Sequence, residues 1–185
     1  MTGTLTTWLE GRVQTVAADD PRLEKVFTAF LLYDPHTGVF RWAVNRRGKS
    51  LAGCIAGSLH STGYVHISLC GRLYKAHRLA WLFVYGTWPT CHIDHINGDK
   101  QDNRIANLRE ATRSENRQNL RLPYKNNKSG LMGVSAEKSR WRAVIHKDGR
   151  QNRLGSFATP QEAHAAYLEA KSVLHPFAPI VGAAA

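Results

Sequence analysis

A short polar stretch of the sequence concentrates residue types that can do acid–base and metal chemistry. Residues 91–109 read CHIDHINGDKQDNRIANLR, with Asp94 and His95 side by side and the amides of Asn97, Asn103 and Asn107 following. A folding core has little use for this set, because each buried polar group without a partner costs a few kcal/mol. The composition of the stretch therefore indicates a functional site.

Hydrolysis of a phosphodiester is one reaction that these residue types suit. Asp94 and the amide oxygen of Asn116 are hard ligands of the kind that Mg²⁺ or Mn²⁺ takes. His95 has an imidazole suited to general-base catalysis near neutral pH, and the Asn107 carbonyl could hold its Nδ1–H. Since neighbouring residues of a strand point to opposite sides, Asp94 and His95 share a site only at a strand end or a twist.

The spacing of the two distal asparagines predicts the elements that carry them. Asn107 and Asn116 are nine residues apart, or about 900° of helical rotation, which puts them on opposite faces of any single straight helix. Thr112 and Glu115 form the pattern of a capping box, which predicts a new helix start after Thr112. We therefore expect a strand (IDHIN), a polar loop, a second strand (NLREA) and a helix over 113–120.

The charge of the chain points to a polyanionic partner. The 185 residues carry a net charge of +11. Residues 1–36 hold three basic and five acidic side chains, so the rest carries +13. Nucleic acid is the first candidate partner, with a merely soluble basic protein as the alternative.

Cysteine usage and hydropathy predict the compartment. The three cysteines, Cys54, Cys70 and Cys91, form no CxxC pair, which argues against a disulfide framework and a zinc ribbon. A zinc site at Cys91, His92 and His95 lacks a second ligand cluster at zinc spacing. No run of 18 apolar residues and no secretory signal are present. We expect a cytoplasmic protein without a membrane partner, located in a bacterial host cell if a phage encodes it.

The segments YKAHRLAW and IDHINGDKQDNRIANLREATRSENRQN resemble the core of HNH endonucleases, in the homing subgroup of phages and introns, from Tyr74 to Asn119. The resemblance implies a ββα-metal fold in which Asp94 and Asn116 bind one divalent ion. It also implies that His95 activates water and that Asn107 orients His95. Many family members have His as the last metal ligand, where this sequence has Asn116.

The C-terminal part resembles a second family. GVSAEKSRWRAVI and LGSFATPQEAHAAY, over roughly 130–172, are similar to the APETALA2-type DNA-binding domain, which implies a three-stranded sheet that faces DNA. By position Trp141 matches a packing residue of that family. The family's arginine after Gly-Val is Ser135 here and a loop tryptophan is missing, so its base-reading contacts do not transfer.

The expected fold class is α+β, a ββα-metal domain followed by a small three-stranded antiparallel sheet with one helix. We predict a tail or leading helix at 1–20, an HNH domain with an N-terminal hairpin at 21–121, a basic linker at 122–129, an APETALA2-like domain at 130–175 and a tail at 176–185. The side chains expected to contact DNA are basic, and they are Arg46, Arg47, Lys49, Arg104, Arg109, Arg113, Arg117, Arg140, Arg142, His146 and Arg153.

Together these features predict a metal-dependent DNA endonuclease that acts on double-stranded DNA with Mg²⁺, for which Mn²⁺ can substitute. We expect no small-molecule cofactor and a monomer rather than a dimer. The alternatives are a DNA-binding regulator with a non-catalytic HNH unit, an RNA nuclease, or an accessory protein of phage DNA processing. His77 is expected to be a packed or capping residue, His92 an exposed strand residue and Asn103 a loop cap.

Overall fold

The computed structural model of the protein has the α+β architecture that the sequence predicts. It describes residues 4–9, 12–17, 22–46, 51–69, 71–147 and 149–178, with side chains from Lys25 onward. These residues form two compact units, residues 1–95 with 99–110, and residues 96–98 with 111–185. No helix within the described ranges is long and apolar enough to cross a bilayer.

Strands and helices mix along the whole chain. The strands are β1 (Thr4–Leu9), β2 (Arg12–Ala17), β3 (Leu31–Asp34), β4 (Val39–Trp42), β5 (Ser58–Leu59), β6 (Val65–Leu69), β7 (Arg72–Lys75), β8 (His92–His95), β9 (Leu108–Ala111), β10 (Val134–Glu137), β11 (Arg140–Lys147) and β12 (Arg150–Phe157). The helices are α1 (Arg22–Phe30), α2 (Ala76–Tyr85), α3 (Arg113–Gln118) and α4 (Pro160–Leu174), and a 3-10 turn spans Ile105–Asn107.

The N-terminal residues differ from the prediction. Strands β1 and β2 form an antiparallel hairpin in which Thr4 pairs with Ala17 and Leu9 with Arg12, where the sequence predicted a tail or leading helix. The segments TLTTWL and RVQTVA are rich in threonine and valine, whose branched side chains favour strands over helices. Local β propensity therefore decides this region.

The first unit has a hydrophobic core built from α1, α2 and the small antiparallel sheets. Leu79 and Ile67 are fully buried at its centre, and Phe27, Phe40 and Trp42 surround them. Helix α2 ends at Gly86, which has φ +70° and donates its N–H to the Leu82 carbonyl. A left-handed residue of this kind is a usual helix terminator, and glycine adopts it without steric cost.

The order strand, loop, strand, helix that the spacing argument predicts is present in β8, the 3-10 turn, β9 and α3. Strands β8 and β9 pair in a two-stranded sheet. Thr112 caps α3: its side chain accepts from the Glu115 N–H, and the Glu115 carboxylate accepts from the Thr112 N–H at 2.7 Å. The predicted capping box is confirmed, which explains why β9 and α3 are separate elements.

The second unit contains the predicted three-stranded sheet and its helix. The strands run in the order β10–β11–β12, all antiparallel, with a register shift between Ala143 and Val144. Ala143 and Ala163 are fully buried where α4 packs on the sheet, and Trp141 lies against the same cluster. Thr159 and Glu162 form a second capping box, at the start of α4.

The residues that precede the linker pack with the second unit. Lys171 is 5% exposed and donates to the Leu120 carbonyl at 2.6 Å, and the Phe177 N–H donates to the Gln118 side chain. The division between the units follows Glu110, whereas the sequence placed the boundary at 122–129. The predicted extents of the functional domains stay a prediction.

Candidate functional site

Strand β8 ends at the two residues that the sequence singled out. His92 at the start of the strand is exposed, and the three residues that follow are buried, with Asp94 5% and His95 4% exposed. The pattern does not alternate, because both faces of the strand are covered at its end. Asp94 and His95 therefore occupy adjacent buried positions at a strand terminus, as the spacing argument requires.

The start of β8 is held by polar contacts from two other elements. The Arg78 guanidinium of α2 donates to the Pro89 and Cys91 carbonyls, both at 3.2 Å. The Glu110 carboxylate of β9 accepts from the Thr90 N–H at 2.6 Å. These contacts satisfy backbone groups just before β8, and they fix the position from which Asp94 and His95 extend.

An arginine of β9 neutralises the Asp94 carboxylate. Arg109 donates from Nε and Nη2 to Asp94 Oδ2 at 2.9 and 2.8 Å, and its side chain is 24% exposed. A buried carboxylate is costly without a compensating charge. Arg109 was predicted to contact DNA, and the structure places it as the partner of a predicted metal ligand.

The His95 imidazole packs among aromatic rings. The His77 ring meets it edge-on with centroids 5.0 Å apart, and the Tyr64 ring lies 5.9 Å away. Burial lowers the pKa of His95, and the Asn103 side chain and the charge of Asp94 oppose this shift. His95 is therefore neutral near pH 7, the protonation state that a general base needs.

Two of the loop asparagines that follow β8 are buried. Asn103 is 3% exposed, and its Nδ2 donates to the Gln101 carbonyl at 2.9 Å. Asn107 is also buried, and its Nδ2 donates to the Asp102 carbonyl at 2.9 Å. That bond holds the loop between β8 and β9 in shape. The proposed contact of Asn107 with His95 stays a prediction.

The loop that carries Asn103 rests on the β3–β4 turn. Tyr33 donates its hydroxyl proton to the Asn103 carbonyl at 2.8 Å, and the Ile105 N–H donates to the Pro35 carbonyl. Gly38, at φ +73°, lies so close that a Cβ there would be 2.4 Å from the Arg104 nitrogen. Only glycine fits this position, so the hairpin at 31–42 helps to position the site.

Asn116 lies on α3, which belongs to the second unit. It is partly exposed, and its N–H donates to the Thr112 carbonyl in the first turn of the helix. The assignment of Asn116 as a ligand of the same metal as Asp94 stays a prediction.

The donor set at β8 suits a hard cation. Within the described residues, no group of three or more His, Cys, Asp or Glu side chains could hold a metal ion. Metal binding here would therefore depend on the Asp94 carboxylate with amide oxygens and water, which is a ligand set for Mg²⁺ or Mn²⁺ rather than zinc. Arg109 Nε and Nη2 both donate to Asp94 Oδ2, so the guanidinium bonds one of the two carboxylate oxygens.

Several basic residues predicted to contact DNA have partners within the first unit. Arg104 forms a bidentate pair with Asp102. Arg46 lies 4.1 Å from the centroid of the Trp42 ring and donates to the Ser68 carbonyl. Arg47 and Lys49 lie outside the described residues.

In the second unit one carboxylate forms ion pairs with two of the arginines that were predicted to contact DNA. Glu137 of β10 pairs with Arg153 at 2.5 Å and Arg142 at 3.9 Å. Arg140 donates to the Ser156 carbonyl at 2.9 Å. The exposed members of the predicted set in this unit are Arg113, Arg117, Arg140, His146 and Arg153. Their contacts with DNA stay predictions.

Comparison with known proteins identifies the segment that carries the site. Residues 74–118 match a protein-family model described as HNH endonuclease, and this span includes Asp94, His95, Asn107 and Asn116. The chain is also 37% identical over 91 residues to Protein 3.8 of Escherichia phage T7, an alignment that covers 46% of this chain and 74% of the phage protein. No solved structure matches the chain significantly. The chain therefore belongs to the same family as the phage T7 protein and carries an HNH endonuclease domain at residues 74–118.

Proposed function

We propose that the protein is a metal-dependent, phage-encoded endonuclease that hydrolyses phosphodiester bonds of double-stranded DNA. The observation that carries this proposal is a buried, neutral His95 beside the Asp94 carboxylate at the end of β8, inside the segment that matches HNH endonucleases. The net charge of +11 supports a polyanionic substrate.

In the proposed reaction His95 accepts a proton from water as the water oxygen forms a bond to phosphorus. The bond from phosphorus to the 3′ oxygen breaks, and the products are a 5′ phosphate and a 3′ hydroxyl that takes its proton from solvent. The lowered pKa of His95 keeps the imidazole in its basic form at neutral pH. Asn107 is proposed to orient the His95 ring, and its Nδ2 bond to the Asp102 carbonyl maintains the loop between β8 and β9.

Asp94 and Asn116 are the proposed ligands of one divalent cation. When bound, the cation supplies positive charge that stabilises the developing charge on the leaving oxygen. Arg109 holds the Asp94 carboxylate in place.

The remaining parts of the chain are proposed to place this centre on DNA. The sheet β10–β11–β12 would present Arg140, Arg142, His146 and Arg153 in the manner of an APETALA2-like domain. The exposed Arg113 and Arg117 on α3 would add phosphate contacts. We also propose the homing type of HNH enzyme, working as a monomer with one catalytic centre.

The test is cleavage of supercoiled plasmid and of phage or host genomic DNA by wild type and His95→Ala, with Mg²⁺, Mn²⁺ or EDTA. We expect metal-dependent nicking or linearisation by the wild type and none by the variant, while DNA affinity stays nearly unchanged. His92→Ala is the matched control, because His92 lies three residues earlier on the same strand and is exposed.

Cleavage by His95→Ala at the wild-type rate would refute the assignment of the base. If neither protein cuts a genomic library although both bind it, the protein is a DNA-binding regulator instead. One observation favours the regulator: the Arg109–Asp94 ion pair balances the charge of Asp94 without a metal.

A further inference from the structure

Three chain segments of the first unit converge on the Tyr64 ring, next to His95. Tyr64 lies at the turn between β5 and β6, where the His60 N–H donates to its carbonyl at 2.9 Å. Lys75 is the last residue of β7, and Lys100 lies in the loop after β8. Each lysine Nζ lies 4.9 Å from the centroid of the Tyr64 ring.

The position of Tyr64 itself is fixed by buried neighbours. Its ring packs against His77 at 5.1 Å and His95 at 5.9 Å. Both histidines are at most 4% exposed. The Tyr64 ring thus packs against the proposed catalytic base and against His77, and each of the two lysine ammonium groups lies 4.9 Å from its centroid.

A backbone contact and a close approach also restrict Lys100. Its Nζ donates to the Thr62 carbonyl at 3.1 Å. Its Cδ lies near Gly63, where an added Cβ would be 3.3 Å from that carbon. The lysine of the loop after β8 is therefore tied to the turn that carries Tyr64.

The charges of Lys75 and Lys100 are available to an anion. Both side chains are exposed, and in the part of the chain that the structure describes neither forms an ion pair with a carboxylate. Arg104 and Arg109, which were predicted to contact DNA, instead use their charges on Asp102 and Asp94. The two ammonium groups are no farther apart than twice 4.9 Å, because they share one ring centroid.

We infer that Lys75 and Lys100 bind DNA phosphate beside His95, and that Tyr64 is the positioning residue that holds both lysines there. The inference rests on the proposed nuclease function and names its substrate contacts. A lysine ammonium binds phosphate as a compact point charge, and two of them around one ring can hold one phosphate or two successive phosphates of a strand. The cluster places the DNA strand against the imidazole that accepts the proton.

The first test measures binding of a fluorescein-labelled duplex by anisotropy over a series of salt concentrations. EDTA is present to prevent metal-dependent cleavage. A plot of log K against log salt has a negative slope, and each lost phosphate contact reduces the magnitude of that slope by about 0.9 for duplex DNA. We expect that loss for Lys75→Gln and for Lys100→Gln, and about twice that loss for the double variant. Lys25→Gln is the matched control for net charge, because Lys25 is an exposed lysine of α1 in the same unit.

The second test separates the ring of Tyr64 from its hydroxyl. Tyr64→Phe keeps the aromatic face and should keep the wild-type salt slope. Tyr64→Leu removes that face and should reduce the magnitude of the slope as the double lysine variant does. In plasmid cleavage with Mg²⁺, each lysine variant should lower kcat/KM about tenfold, as expected for one lost charge-assisted hydrogen bond.

The outcomes distinguish this inference from the proposed function. An unchanged salt slope in the double lysine variant, with wild type cutting DNA, overturns the phosphate site and leaves the nuclease intact. A wild type that does not cut refutes the nuclease, while the slopes measured in EDTA still decide the phosphate site. A slope that falls equally in Lys25→Gln also overturns the inference, because the effect would then reflect net charge.

Discussion

Replacing His77 with phenylalanine is expected to make the stability of the first unit less dependent on pH. His77 is 4% exposed, and in the described part of the chain its Nδ1 has no hydrogen-bond partner. Burial, followed by the charges of His95 and Lys75, lowers the pKa of His77 to about 3. In an unfolded chain the histidine pKa is about 6.5.

The direction of the effect follows from proton binding. Below pH about 6.5 the unfolded chain protonates His77 and the folded protein does not. The stability that neutral His77 contributes is complete above that pH, and it is lost progressively as the pH falls toward the folded pKa of about 3. Each pH unit in this window costs about 1.4 kcal/mol, so going from pH 7 to pH 5 costs about 2 kcal/mol from this one residue.

Phenylalanine keeps the aromatic contacts with Tyr64 and His95 and removes the titration. The assay is urea unfolding at pH 7 and pH 5, followed by tryptophan fluorescence. A Trp141→Phe background removes the tryptophan of the second unit, so the signal reports on the first. We expect the variant to lose about 2 kcal/mol less than the parent between the two pH values, and we expect the control His92→Gln to behave as the parent does.

A difference below about 0.5 kcal/mol between parent and His77→Phe would refute the reasoning, because a buried neutral histidine must contribute more than that over this interval. Loss of the wild-type fold in the variant would be visible in the circular dichroism at pH 7. His77→Gln then provides a second non-titrating side chain for the same comparison.

Three further predictions test other parts of the structure. Asn103→Ala should move the acid limb of the kcat/KM profile to lower pH, because the Asn103 side chain raises the pKa of His95; a move to higher pH would contradict this. Arg109→Gln should lower the free energy of unfolding by about 2 kcal/mol, since the buried Asp94 carboxylate loses its counter-charge. If Asp94 binds metal, Mg²⁺ should raise the Tm of that variant more than that of the wild type. Thr112→Ala should cost about 1 kcal/mol of stability by removing the α3 cap, and Thr112→Ser should retain most of it.

Local chemistry allowed several elements to be predicted from the sequence. The capping box at Thr112 depends on residues three apart, so its contacts form where the helix starts. The spacing argument that separated β9 from α3 used helix geometry alone.

The N-terminal hairpin was missed although its signal is local. TLTTWL and RVQTVA both favour strands, and the pairing of Thr4 with Ala17 is close in sequence.

Contacts between distant residues decided the roles of the polar side chains, and residue type alone could not. Asn103 and Asn107 are both loop amides in the sequence, yet both are buried, because the Tyr33 hydroxyl and the close approach of Gly38 fix the loop. Glu137 pairs with Arg153 although the two lie on strands that are not neighbours, β10 and β12, a contact that the order of strands in the sheet allows and residue type does not predict.

The sequence by itself determined that Asp94 and His95 lie on a strand in a segment that resembles HNH endonucleases, within a basic protein, because those properties depend on residue type and short spacing. Only the tertiary structure decided which cations lie beside carboxylates and which do not. Arg109 pairs with Asp94 across the two strands, while Lys75 and Lys100 meet at Tyr64 from separate segments. These contacts depend on distances across the fold, and no local pattern encodes those distances.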